Sequence, residues 1–420
     1  MNEDSYFFRT ETDLVALEAR RQKAERTKNV GSPVELPGKP LAIRLRGNDL
    51  WVAQSDAVIR RIDLETGAIQ QVYRGHTAPV TTLSITEDPS DPRAPPFLIS
   101  GSWDKTVKIW DTKSKNVLSS TEAHSDFLKC VFPIPGLKLL ATSGADKVVR
   151  LWDISDLRST TPLKLLGLIS AHSRPVQCIA VDVHSPSEAT LITGDSMGII
   201  KVWSLERSYG DSPSCRAAEK QEVSIHRTGI NDLWFANGEL WTASSDDTAL
   251  LTHVRSENTL SSSSSSSSAP SPKPIRPIPP LTHPTSVKAL LPLSLTPLGE
   301  SLLLTASGDV IRLYDVNDPW LPELLSTTDA HWFDVIGLGL WVRRVEVKDK
   351  SGVGRIEVEP WIVSASLDQT IRKWRLAELV NPPKEPLKQE TKEEIPKPVA
   401  SNQLTAEEEA ELAELMSDED

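Results

Sequence analysis

Residues 98–111 read LISGSWDKTVKIWD, and the same pattern returns at residues 140–153 (LATSGADKVVRLWD) and 362–375 (IVSASLDQTIRKWR). Each stretch is an apolar run ending in small residues, then a tight turn carrying an Asp, then a second run closed by Trp. Alternation over so few residues, bounded by turn signals, reads as two short strands. One such unit cannot bury its own apolar face, so recurrence along a chain implies repeats stacked against one another.

The Trp that closes the second strand marks the copies. It stands at Trp110, Trp152, Trp203 and Trp374, with Thr252, Tyr314 and Ile62 at the same place in weaker copies. The steps between the seven markers are 48, 42, 51, 49, 62 and 60 residues. A four-stranded blade takes about 40–45 residues, so the longer steps contain inserted loops. A His precedes most copies at a similar distance: His76, His124, His172, His226, His283 and His331, with Pro40 standing there in the first.

On these residues the chain resembles the WD-repeat (WD40) β-propeller family. Gly75-His76, Trp110-Asp111 and Trp152-Asp153 match its signature dipeptides, and the resemblance runs over residues 34–380. It implies an all-β, seven-bladed β-propeller of four-stranded blades. It also implies that an N-terminal strand, Val34-Glu35-Leu36, closes the ring and removes the open sheet edge. Short helical extensions would lie at either end. The domain reading is an N-terminal extension over 1–33, the propeller over 34–380, and a spacer with an acidic helix over 381–420.

In the family a His, a strand Ser or Thr, the turn Asp and the Trp form one hydrogen-bonded set inside a blade. The resemblance carries these roles to His76, Ser100, Asp104 and Trp110; to His124, Thr142, Asp146 and Trp152; and to His331, Ser364, Asp368 and Trp374. A buried Asp needs its acceptors filled, and imidazole, turn amides and the indole N–H provide or require such partners. A Ser, a His and an Asp in one blade also look like a hydrolase triad. The set recurs around the ring with no privileged copy, which favours the structural reading. The fourth copy has Met197 at the turn position and Asp195 two residues earlier; the fifth has Thr252 for Trp; the sixth has Asp309, Tyr314 and a shorter turn; the first has Asp56 alone. Blades one, four, five and six are therefore expected to be less rigid.

Net charge is −12, of which the segment Lys384 to Asp420, with 12 acidic and 4 basic residues, carries −8. That is a poor footprint for phosphate-backbone binding, so no nucleic-acid partner is expected. No run of 18 apolar residues occurs and Met1 to Thr12 is polar, so neither a membrane span nor a leader is expected. Three widely spaced cysteines, Cys130, Cys178 and Cys215, read as buried small apolar groups rather than a disulfide framework or a zinc site. A reducing compartment, cytoplasm or nucleus, is expected, and no cofactor.

Outside the repeats, Thr12 to Lys28 reads as a solvated or loosely docked helix with a basic second half. Leu404 to Asp420 reads as an acidic amphipathic helix beyond a disordered spacer. Eight serines, Ser261 to Ser268, and the prolines after them form an extended loop over 255–280.

The His loops and Asp turns share one rim in the family. Side chains beside them therefore face solvent together, and Trp and Arg dominate interface energies. The expected partner-binding patch is Trp103, Phe127, Arg174, Arg227, Trp332, Phe333 and Leu367. The leading function is a non-catalytic protein–protein interaction scaffold, a monomeric propeller within a larger complex, binding one or more proteins through the rim and the acidic tail. The alternative is a substrate receptor of a cullin-type ubiquitin ligase, because Leu98 to Lys113 resembles that class's box. It ends in Lys113 where the box has Arg. An enzyme or a phosphoinositide binder finds no phosphate loop, metal cluster or single acid–base pair in the sequence.

Overall fold

A computed structural model describes residues 11–88, 91, 93–210, 212–254, 278–348 and 354–381. The Ser/Pro loop and the acidic tail anticipated above fall largely outside the described residues. The strands form seven antiparallel sheets of four strands each. Blade two shows the plan: strand a (Val80–Thr86), strand b (Phe97–Ser102), strand c (Thr106–Asp111) and strand d (Val117–Glu122), hydrogen-bonded in that order. Strand a of blade three is Leu128–Ile134 and of blade five Ile230–Ala236.

Every strand a carries a bulge after its first paired residue, as between Val80 and Thr82, Leu128 and Cys130, or Val176 and Cys178. A bulge bends and twists its strand. Here it seats the leading residue (Val80, Leu128, Val176, Ile230, Val287 or Val335) fully inside. Inner strands of neighbouring blades are also tied directly. Thr81 Oγ1 donates to Leu128 O (2.8 Å), Ser84 Oγ to Val131 O (2.9 Å), and Leu290 N to Asp232 Oδ2 (2.9 Å).

The core lies between blades. Leu139, Leu151 and Leu166 of blade three share one cluster with Leu191, Trp203 and Cys215 of blade four. The same interface holds Arg207, whose buried guanidinium donates to Leu137 O and Lys138 O and to Asp153 Oδ1 (2.8 Å).

The seventh blade draws on both ends of the described chain. Its outer strand is Val34–Glu35, paired with Thr370–Arg375. Helix α1 (Glu11–Thr27) precedes it and is anchored more firmly than a solvated helix. Lys23 pairs with Asp309 (2.8 Å) and Asp329 (3.2 Å), Arg26 pairs with Asp329 (2.7 Å), and Arg372 donates to Thr27 O and Val30 O. Gly31, at φ +69°, then passes flat over the Trp374 ring; a Cβ there would lie 2.5 Å from the indole. A second short helix, α2 (Leu376–Val380), packs its Leu376 and Leu379 into the last blades.

Inside the blades, one buried hydroxyl joins His to Trp. In blade two His76 Nε2 meets Ser100 Oγ at 2.8 Å, Trp110 Nε1 donates to the same oxygen at 2.8 Å, and His76 Nδ1 meets Asp104 at 2.7 Å. Blades three and seven repeat this: His124, Thr142, Trp152 and Asp146 within 2.8–2.9 Å, and His331, Ser364, Trp374 and Asp368 likewise. Blade four, despite Met197, holds a full set. Asp195 reaches His172 at 3.3 Å from the end of its strand, and Thr193 joins His172 to Trp203. Blade five lacks only the Trp. In blade six Asp309 turns outward to Lys23, and His283 meets Thr305 (2.9 Å) and the Tyr314 hydroxyl (3.3 Å). Blade one has no such set; its Asp56 binds Arg60 at 2.9 Å.

Burial lowers the pKa of His124, His172, His226 and His331, and burial with the nearby Arg312 lowers His283 to about 4. Burial alone would raise the Asp146 carboxyl, but hydrogen bonds from Arg150 and His124 hold it down at about 2. The folded state thus keeps these imidazoles neutral while the unfolded chain protonates them below their ordinary value. Their contribution is complete above about pH 6.5 and is lost as pH falls toward 4, worth about 3 kcal/mol for His283 alone. Melting temperature measured across pH is expected to be flat above 7 and to fall steadily between 6.5 and 4; a rise on acidification contradicts this. Asp146→Ala, which leaves the buried His124 Nδ1 without its acceptor, is expected to cost roughly 1–3 kcal/mol. Asp309→Ala, at the aligned but outward position, should cost under about 1 kcal/mol. Urea denaturation of the two variants side by side measures the difference.

Candidate partner-binding rim

Antiparallel strands place the His loops and the Asp turns at one end of each blade and the a–b and c–d turns at the other. All seven residues expected to bind a partner lie at the first end, but they fall into separate groups. Trp103 precedes the Asp turn of blade two, and Phe127 follows the His loop leading into blade three. Their rings stack at 5.2 Å with 28° between planes. Backbone bonds fix both: Trp103 N donates to Pro79 O, and Phe127 O accepts from Ala145 N. Each ring is about two-fifths exposed, Trp103 at 41% and Phe127 at 42%. So much aromatic surface, held rigidly and left open, is unusual away from an interface.

The second group is partly covered. Trp332 and Phe333 meet edge to face at 6.0 Å, and both are half-buried, as is Leu367. The Arg20 guanidinium of α1 lies 5.5 Å above the Phe333 ring. A cation over an aromatic face is attracted by its quadrupole, so the N-terminal helix occupies part of the surface expected to be free on blade seven. Arg174 and Arg227 are exposed on blades four and five. The Arg227 side chain stands apart from its backbone N–H, which caps Asp246 at 2.9 Å.

Two contributors were not legible as rim residues. Met197, half-exposed, occupies the turn of blade four where the strongest copies have Asp. Its departure from the repeat was the available signal. In sequence Arg20 is one cation of a basic helix among several, because nothing there says which blade the helix lies on.

The chemistry of the buried sets is structural. Ser100 and Ser364 are fully buried, and each hydroxyl already holds a Trp N–H and a His nitrogen. No substrate can reach them, so the resemblance to a triad ends at residue types. Cys130, Cys178 and Cys215 are free and buried, and burial raises all three thiols. Such thiols are unreactive. Among the described residues no group of three or more His, Cys, Asp or Glu is placed to hold a metal ion. No described helix is long and apolar enough to cross a membrane. Lys113, the end of the ligase-like box, lies at the opposite end of the blade from Trp103, in a cleft toward blade one.

The family model of the WD domain, G-beta repeat, matches residues 67–111, 115–153 and 163–204. Each match ends at the strand c of blade two, three or four. A WD repeat-containing protein of Schizosaccharomyces pombe is 26% identical over 99% of both chains. A transcriptional corepressor of Arabidopsis thaliana is 29% identical over 38% of this chain and 23% of its own length. A nuclear distribution protein of Coccidioides posadasii is 28% identical over 36% and 34%. The chain thus spans the whole of its fission-yeast relative but about a quarter to a third of the other two. WD40 propellers generally act as protein-interaction scaffolds rather than catalysts. Seven four-stranded blades, the His–hydroxyl–Trp sets and the three matched repeats show a seven-bladed β-propeller whose second to fourth blades carry WD repeats.

Proposed function

We propose that this protein is a non-catalytic scaffold subunit of a multiprotein complex, working in the cytoplasm or nucleus. It grips a partner at the rim of blades two to four. One observation carries the reading: the stacked, exposed Trp103–Phe127 pair. Met197 and Arg174 extend that surface along the ring. Two large side chains immobilised before binding lose little entropy on binding, and aromatic anchors of this kind supply most interface energy. Trp332, Phe333 and Leu367 form a second, narrower contact, bordered by Arg20 of α1. The acidic tail, Leu404 to Asp420, serves as a separate contact. The free cysteines fit a reducing compartment. The relatives named as a corepressor and a nuclear distribution protein fit assembly work in that setting.

The test is quantitative affinity capture with the intact protein, Trp103→Ala/Phe127→Ala, Trp332→Ala, and a chain cut after Asn381. The exposed pair contributes little to folding, so the double variant is expected to melt within a few degrees of the parent. It should lose one set of stable partners by tenfold or more, about 1.4 kcal/mol or above. Unchanged recovery with both rim variants removes the rim assignment.

A further inference from the structure

A cleft of about 460 Å³ opens between blades one and two, on the face away from the Asp turns. One wall is the turn after strand a of blade one (Arg46, Gly47) with Asp49, Arg61 and Gln71 beside it; the other is Pro95-Pro96 and Thr112-Lys113 of blade two. A volume in this range seats a few side chains of a ligand.

The cleft is held in shape. Thr112 Oγ1 donates to Pro96 O at 2.6 Å, which locks the two loops of blade two together. The Tyr73 hydroxyl donates to Gln71 and also meets Thr112 O at 3.3 Å, which ties the walls across the blade boundary. Arg61 lies 5.3 Å over the Trp51 ring and donates to Asp49 at 2.6 Å. These contacts cross-brace the walls without a ligand.

Its charge runs against the chain as a whole. Three cations, Arg46, Arg61 and Lys113, line it with two carboxylates at hand, Asp49 on Arg61 and Glu87 on Arg46, a net positive cleft in a protein of net charge −12. Arg46 reaches Glu87 at 2.9 Å, but both side chains are well exposed, and such a surface pair is worth little and is readily exchanged. Lys113 is exposed and makes no ion pair among the described residues. The cations stand on both walls, and Pro95 and Pro96 line the second wall with Lys113.

We propose that this cleft binds an extended acidic segment of a partner protein, with carboxylates meeting Arg46 and Lys113 and an apolar side chain against the prolines. It shares with the scaffold reading only that the partner is a protein; the surface is at the other end of the blades from Trp103 and Phe127. Charge complementarity of this kind sets specificity and association rate.

Fluorescence anisotropy with the full chain tests it. The probe is a fluorescein-labelled octapeptide of alternating glutamate and leucine, compared with its glutamine counterpart and with a phosphoserine–leucine octapeptide. The glutamate peptide is expected to bind about tenfold tighter than the glutamine one. Arg46→Glu and Lys113→Glu, both at exposed positions, should each weaken it by about tenfold, with melting temperature preserved. Trp103→Ala should leave it unchanged, so that failure here and failure at the rim are told apart. Equal binding of the glutamate and glutamine peptides, no binding at all, insensitivity to both charge reversals, or tighter binding of the phosphoserine peptide would each overturn the proposal.

Discussion

A single buried oxygen in strand b organises each well-formed blade. Ser100, Thr142, Thr193 and Ser364 each accept the indole N–H and meet the His Nε2 within 3 Å. The turn carboxylate can only accept, so Nδ1 carries the proton that goes to Asp. In a neutral ring Nε2 then accepts the hydroxyl proton, and a lone pair of the same oxygen takes the indole N–H. The direction of the whole set, Trp to hydroxyl to His to Asp, follows from that order. Burial keeps the rings of His124, His172 and His331 neutral against the pull of their Asp partners, whose hydrogen bonds act to raise the imidazole pKa. Thr242 and Thr305 keep the His contact where the Trp is missing.

Because these sets fix the blades from inside, the turns that carry them are free to differ outside. The residue before the turn Asp is Trp in blade two, Ala in blade three and Leu in blade seven, on nearly the same backbone. The side chains that differ from blade to blade therefore stand at positions that the repeat does not constrain. The stacked pair on blades two and three uses two such positions from neighbouring repeats, and neither residue alone would distinguish this ring from another. The cleft between blades one and two follows the same logic at the opposite end: its cations come from turns whose length the fold sets and whose side chains it does not.

The repeat was legible because Trp, Asp and His are rare enough to be counted, and because their spacing is set by strand length. Blade four was legible as a strand pair but not as a complete set. Asp195 does the work of the missing turn Asp from a position where blades two, five, six and seven have Ser, and only geometry shows that its carboxylate reaches His172. In blade six Asp309 meets Lys23, which arrives from 286 residues earlier in the chain, a contact that the repeat pattern does not contain. The same long-range docking hides Phe333. The cleft was invisible in sequence: Arg46, Arg61 and Lys113 look like ordinary surface charges until two blades are set side by side.

The strand Val34–Glu35 and the residues before it meet the last blade across most of the chain; Thr27 and Arg372, which share a hydrogen bond, are 345 residues apart. A ribosome adds about 5–20 residues per second. The segment that completes the ring is thus made first and waits tens of seconds for its partner. During that interval the nascent chain carries an unmatched strand at its leading end and an unfinished sheet at its trailing end. Inner blades pair locally as they emerge, so the slow event is circularisation rather than blade formation.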